Sequence, residues 1–302
     1  MNHEAREQRD RVCEEWLIAQ DSSLTTATYR RTIDRWFRYL DAQGVGAWDV
    51  RRVHVNGFRN SRVQQVKRST VAKELSIVSA FYNYAMQEGE VMDYNPVLLV
   101  KRPKPDRRST GDGLTVEEAR AIRIAALEKD ERTAALVHLL FGTAIRVSEA
   151  VGADVGDLGW LEGHRALRVR RKGGRDGQVK IREGDFAVID GYLQRRKEGA
   201  TGPLFISTGG RRMSRQTAYD IVRALAGATL TRAVKIGPHD IRHTAITLAL
   251  DARIPIQEVR GMAGHSSVAT TQRYDRRMNS RGDDAVDAVG DLLDREAGTG
   301  DR

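Results

Sequence analysis

The spacing of large apolar residues constrains this chain more than any other feature. Tyr29, Ile33, Trp36, Phe37 and Leu40 recur at three- and four-residue intervals, after a Thr25–Thr26 start signal and before Gly44. Val71, Leu75, Val78, Tyr82 and Ala85 repeat the pattern between Ser69–Thr70 and Gly89. That period puts each set on one face of a helix, and each face must be buried. With a shorter helix predicted over 53–66, the first hundred residues read as a helical bundle. One stretch alternates with the two-residue period of strands: Leu167 and Val169 going out, Val179 and Ile181 returning, with Lys172–Gly177 predicted as the turn. The capping box Thr115-Val116-Glu117-Glu118 opens a helix to about Leu127. More helices are expected near 131–141, 185–196, 214–226, 238–251 and 255–262. The expected fold is mostly α with a small antiparallel β-sheet (α+β).

Asn95-Pro96 ends the bundle, and the basic run Lys101-Arg102-Pro103-Lys104-Pro105-Asp106-Arg107-Arg108 follows. Its prolines keep it extended. The predicted organisation is therefore a helical domain over 1–100, a linker over 101–112, a second domain over 113–280, and an acidic tail over 281–302. In the tail, Val286, Val289, Leu292 and Leu293 have helical spacing.

Charge bears on the partner. The formal net charge is +9, and the tail alone carries seven acids against three arginines, which leaves +13 on the rest. A basic body points to a polyanion, with nucleic acid the commonest. Arg30, Arg31, Arg68 and Lys73 on the bundle, with Lys101, Arg102, Lys104, Arg107 and Arg108 in the linker, are the candidate DNA contacts. Arg62 is counted with the same basic faces. The single cysteine, Cys13, allows no intrachain disulfide and suits a reducing compartment. No apolar run is long enough for a bilayer, and the N-terminus has no signal-peptide pattern. A protein retained in the cytoplasm is expected.

The chemistry-bearing residues crowd into the second half. Pro238-His239-Asp240-Ile241-Arg242-His243 is followed by Ala263-Gly264-His265 and by Thr271-Gln272-Arg273-Tyr274, with Gly142-Thr143-Ala144-Ile145-Arg146-Val147-Ser148-Glu149 upstream. Cleaving a phosphodiester without a metal requires fixed, fork-shaped cations for the non-bridging oxygens, a nucleophile, and groups that move two protons. Arginines, a tyrosine, histidines and Lys172 are those types. His239 and His243, at i and i+4, could instead hold a metal. No third ligand stands out, and Arg242 between them opposes a cation, so neither metal nor cofactor is expected. No nucleotide-binding loop of the form G-x-x-x-x-G-K-[ST] occurs.

In this pattern the chain resembles the tyrosine recombinase (phage integrase) family, whose signature is an early arginine, a β-ribbon lysine, H-x-x-R, G-H and a final tyrosine. The matching positions are Arg146, Lys172, His239, Arg242, Gly264-His265 and Tyr274, with intervals of 23 from Arg242 to His265 and 9 to Tyr274. The resemblance implies that Tyr274 attacks the phosphate and forms a 3′-phosphotyrosine. Arg146 and Arg242 would clamp its oxygens, Lys172 would protonate the leaving 5′-oxygen, His239 would act as base and His265 would bind the phosphate. Glu149 would support Arg146. Lys180 and Arg175 compete with Lys172 for its place. Three positions depart from the family: Ala144 and Arg253 stand where glycines are usual, and Met262-Ala263 replaces two leucines.

The resemblance further implies a core-binding (SAM-like) first domain, a C-shaped clamp on double-stranded DNA at core or attachment sites, and a homotetramer exchanging strands through a Holliday junction. It places the protein with bacterial or phage-encoded, nucleoid-associated enzymes. An integrase, which can need a directionality factor, is the first expectation. A Xer-type resolvase, a type IB topoisomerase and a non-cutting DNA-binding regulator are the alternatives. The tail helix could dock on a neighbouring subunit or on its own domain.

Overall fold

The computed structural model describes residues 3–20, 23–87, 92–103, 113–171, 176–196, 201–232, 235–265, 267–272 and 274–275. The chain divides into two compact units, Met1–Thr110 and Gly111–Arg302.

The first unit packs α1 (His3–Ile18), α2 (Ser23–Ala42), α3 (Arg52–Val63) and α4 (Arg68–Gln87) around one aromatic core. Both periodic sets turn inward as expected: Ile33, Trp36, Phe37 and Leu40 from α2 and Val71, Leu75, Val78, Tyr82 and Ala85 from α4 are buried. Trp36 has no exposed surface, so its indole N–H needs a partner. It donates to Tyr82 Oη at 3.0 Å, and that hydroxyl donates to the Ala47 carbonyl at 3.1 Å. The helix α1 lacks a clear period, yet Val12, Cys13, Trp16 and Leu17 are buried against the others. Burial pushes the Cys13 thiol up to about 12, so it behaves as a core hydrophobe.

One basic residue of this unit is not where its charge suggests. Arg62 is 8% exposed, and its Nε and Nη2 donate to the two carboxylate oxygens of Glu74 at 2.9 and 2.8 Å. Arg35 Nη1 adds a third bond to Glu74 at 2.7 Å. A buried carboxylate demands such partners, so Arg62 serves the interior and leaves the basic surface.

The second unit contains α5 (Val116–Lys129), α6 (Glu131–Thr143), α7 (Val147–Gly152), β1 (Leu158–Leu161), β2 (His164–Arg170), β3 (Asp176–Lys180), α8 (Glu183–Arg195), α9 (Arg215–Thr229), α10 (Pro238–Asp251), α11 (Ile256–Ala263) and α12 (Val268–Gln272). The helix α6 is buried almost all round and packs against α5, α8 and α10, so it organises the unit. The capping box forms: Thr115 Oγ1 accepts from the Glu118 N–H at 3.2 Å, and Glu118 Oε2 accepts from the Thr115 N–H at 2.9 Å.

The three strands make one antiparallel sheet, β1-β2-β3, with Leu167 opposite Val179. The alternating apolar residues Leu167, Val169 and Val179 share the buried face, while Arg168 and Arg170 are exposed. Asp176 and Gly177, expected in the turn, instead pair with Arg170 and Val169 inside β3. The rest of that turn, 172–175, lies outside the described residues, as do the linker residues 104–112 and the tail. Neither β1 nor the short α7 and α12 is long enough to show a period.

Among the described residues three non-glycine residues hold the left-handed conformation: Ala144 (φ 52°), which ends α6, Glu162 (φ 48°), in the turn between β1 and β2, and Arg253 (φ 60°), just after α10. Ala144 and Arg253 are the two positions where the family pattern has glycine. Side chains there strain the backbone, which surrounding packing must hold. Among the described residues no helix is long and apolar enough to cross a membrane.

Candidate active site

Four side chains from separate parts of the second unit converge where α6, α10 and α11 end or begin. Because Ala144 ends α6 with a left-handed turn, Arg146 sits at the N-cap of α7 in extended backbone. Glu149, 6% exposed, accepts from the Arg146 backbone N–H and from its Nη1, both at 2.8 Å. A buried carboxylate thus aims the guanidinium, whose side chain stays about one-third open at 35%.

Arg242, on α10, is only 3% exposed. Its Nη1 donates to the Ala144 carbonyl, and its Nη2 donates to the Ala263 carbonyl at 2.6 Å. These carbonyls close the C-termini of α6 and α11, where partial negative charge favours a cation. Burial, then the Arg146 charge, brings the Arg242 pKa down to about 10, while Glu149 and Tyr274 oppose the shift. It remains a cation at neutral pH.

Gly264 caps α11 in the left-handed conformation (φ 61°) and turns the chain so that His265 enters the cluster. His265 is 9% exposed and its Nδ1 lies 2.8 Å from Thr271 Oγ1. Burial, with Arg242, Arg146 and Arg171 adding to it, pushes His265 down to about 4. The imidazole is therefore neutral at pH 7.

Tyr274 follows α12, and its half-buried ring packs on Ala144, Ile246, Leu250, Val259 and Ala263. It stacks on His265 with ring centres 5.9 Å apart and 21° between planes. The His243 ring lies 4.8 Å away on a tilt of 57°. The phenol, two histidines and two guanidinium groups thus belong to one cluster supplied by one chain.

Not every expected residue joins it. His239, at the start of α10, is exposed and makes no hydrogen bond or ring contact among the described residues. The α10 histidine against Tyr274 is His243, one turn further on. Its chance of being noticed lay in the i, i+4 pair, which from sequence suggested only a metal. Thr271, which holds His265, and Arg171 also went unnoticed, since neither carries a local signal. Lys172, Lys104, Arg107 and Arg108 lie outside the described residues. Arg31, Lys73, Lys101 and Arg102 are exposed, as is Arg68. Arg30 is engaged by Glu14, to which its Nη2 donates at 2.6 Å.

Residues 113–281 match the phage integrase family, and residues 15–89 match the N-terminal SAM-like domain of phage integrases. The chain belongs to the phage integrase family. It is thus a tyrosine recombinase, an enzyme of DNA strand cleavage and rejoining. Tyrosine recombinase XerD of Mycobacterium leprae is 31% identical over 276 residues, covering 83% of this chain and 85% of the relative. Tyrosine recombinase XerC of Pelobacter propionicus is 28% identical over 257 residues, with 83% of each chain covered. Among solved structures, the Tn1549 transposon integrase superposes with TM-score 0.74 at 18% identity, covering 93% of this chain and 99% of that one. A lambda integrase dimer bound to a core site gives 0.73 at 18%, covering 91% and 96%. The shared fold is mostly helical with a small antiparallel sheet.

The depressed His265 value has a stability consequence. The unfolded chain, with an ordinary imidazole near 6.5, binds a proton between about pH 6.5 and 4 that the folded cluster refuses. Stability should be complete above 6.5 and fall as pH drops towards 4, by about 3 kcal/mol from this group. Thermal melts across that range should show the slope, and His265→Asn should flatten it. A His265 resonance titrating near 6.5 would rule this out.

Proposed function

We propose that this recombinase breaks and rejoins DNA at specific sites, with Tyr274 as nucleophile. The observation that carries the reading is the convergence of Tyr274, Arg242, Arg146 and His265 in one chain. Tyr274 Oη attacks the phosphorus and the bond to the 5′-oxygen breaks, leaving a 3′-phosphotyrosine and a free 5′-hydroxyl. Arg146 and Arg242 stabilise the negative charge that grows on the non-bridging oxygens. His265, neutral, hydrogen-bonds the phosphate. His239, exposed at the start of α10, is the proposed general base, and Lys172 the acid that protonates the 5′-oxygen. Attack by the freed hydroxyl reverses the step, since the phosphotyrosine keeps the energy of the broken bond.

The substrate is double-stranded DNA, gripped through phosphates by exposed cations such as Arg31, Lys73, Lys101 and Arg102. A homotetramer pairing two sites is supported by a neighbouring structure, a lambda integrase tetramer bound to a Holliday junction. Between two biological outcomes, the XerC and XerD relatives favour resolution of like sites over integration at unlike ones.

Covalent capture tests the reading. A pool of randomised, nicked duplexes should yield a protein–DNA adduct resistant to denaturant, with the phosphate on the peptide containing Tyr274. An adduct on another residue, or none, would end the proposal. Two directly repeated copies of the captured sequence on a plasmid should then be resolved by this protein.

A further inference from the structure

Arg171, the residue that follows β2, occupies a slot made by two glycines. A Cβ on Gly264, at the end of α11, would overlap its Nη1 and Cζ, and a Cβ on Gly177, in β3, would collide with its Nε. The side chain therefore runs between the ribbon and the turn that presents His265, in space only glycines leave open. Its one hydrogen bond among the described residues is long, from Nη2 to the Gly261 carbonyl at 3.4 Å.

The other two guanidinium groups are engaged differently. Arg146 is paired with Glu149, and both terminal nitrogens of Arg242 donate to carbonyls. No carboxylate among the described residues pairs with Arg171. Three cations thus meet one carboxylate, and a guanidinium has five N–H donors to place. Such an excess of charge is unfavourable until an anion enters it. Arg171 also contributes to the charges that hold both Arg242 and His265 below their ordinary values, so its field reaches the cluster.

We infer that Arg171 is a third phosphate-binding guanidinium of the cleavage centre, held ready by the Gly177–Gly264 slot and contacting a DNA phosphate there. The inference rests on the recombinase reading above and adds to it a residue outside the family signature. An ordinary helix cap on α11 is the competing role. It would affect folding without changing how DNA binding responds to salt.

The experiment separates these. Binding of a fluorescein-labelled duplex of arbitrary sequence is followed against salt in the full-length Tyr274→Phe protein, alone and combined with Arg171→Ala, Arg171→Lys or Gly177→Ala. Each lost phosphate contact lowers the slope of log affinity against log salt by about 0.9. Arg171→Ala should show that loss and Arg171→Lys should keep the slope. Gly177→Ala, which expels the side chain without touching its charge or a positive φ, should weaken binding in the same direction as Arg171→Ala. With Tyr274 intact, single-turnover cleavage of the captured duplex should fall about 10²-fold in Arg171→Ala at saturating DNA. An unchanged slope and cleavage rate with a lowered melting temperature would overturn the inference and leave only the cap. If Arg171→Ala does not fold, the lysine and Gly177→Ala variants decide. A parent protein that binds no DNA would instead count against the recombinase reading itself.

Discussion

Replacing Tyr274 by phenylalanine is expected to remove the covalent DNA adduct and lower strand cleavage by on the order of 10⁴-fold or more. Affinity for duplex should change little. The ring's packing on Ala144, Ile246, Leu250, Val259 and Ala263, and its stacking on His265, are made by carbon atoms that phenylalanine keeps. Only the hydroxyl is lost, so folding and the histidine contacts should survive. Denaturing gels of the nicked-duplex reaction and fluorescence anisotropy of binding read the two effects separately. Adduct formation at undiminished rate in Tyr274→Phe would move the nucleophile elsewhere. A parallel loss of binding would show that the hydroxyl holds DNA or structure, and that cleavage alone cannot be assigned to it.

Arg242→Ala should damage both chemistry and stability. The Ala144 and Ala263 carbonyls would lose their donor in a buried setting, and each such loss costs about 1–3 kcal/mol. Two helix ends, those of α6 and α11, would come untied together, so a destabilisation of about 3 kcal/mol is expected. Cleavage measured where the variant is still folded should fall by about 10²–10³-fold, the scale of one lost donor to a developing oxyanion. Arg242→Lys should recover part of the stability, because an ammonium can reach one carbonyl, but little of the rate, because it cannot present the fork. A third readout isolates the electrostatics. His265 is depressed first by burial and next by the Arg242 charge, so its pKa should rise in Arg242→Ala. A His265 titration that stays put while stability collapses would reduce Arg242 to a structural tie.

The fold holds Arg242 and Arg146 by two different devices. Arg242 is sealed and rigid, joined to two carbonyls, whereas Arg146 is braced from behind by Glu149 and keeps an open side. Both devices fix a guanidinium before any substrate arrives, which is what preorganised charge stabilisation requires. They depend on backbone turns at Ala144 and Gly264, one of them strained for its residue type. The strain at Ala144 is compensated where its carbonyl receives the buried cation.

Much of this was legible in the residues alone. Helical period placed Trp36, Tyr82 and Leu75 in the core of the first unit, because burial of an amphipathic face has few solutions. Two-residue alternation found β2 and β3 and their pairing through Leu167 and Val179, since a strand's faces follow from its pleat. The family signature picked out Arg146, Arg242, His265 and Tyr274, four residues that the fold brings into one cluster. What spacing could not supply was contact between distant segments. That His243 and not His239 touches Tyr274, that Thr271 holds His265, that Arg62 is buried on Glu74, and that Gly177 and Gly264 leave a slot for Arg171 all depend on how the α10, α11 and β3 backbones approach one another. Local pattern determines which face of an element is apolar. Only tertiary packing decides which polar atoms that burial brings within reach, and the site is made of those atoms.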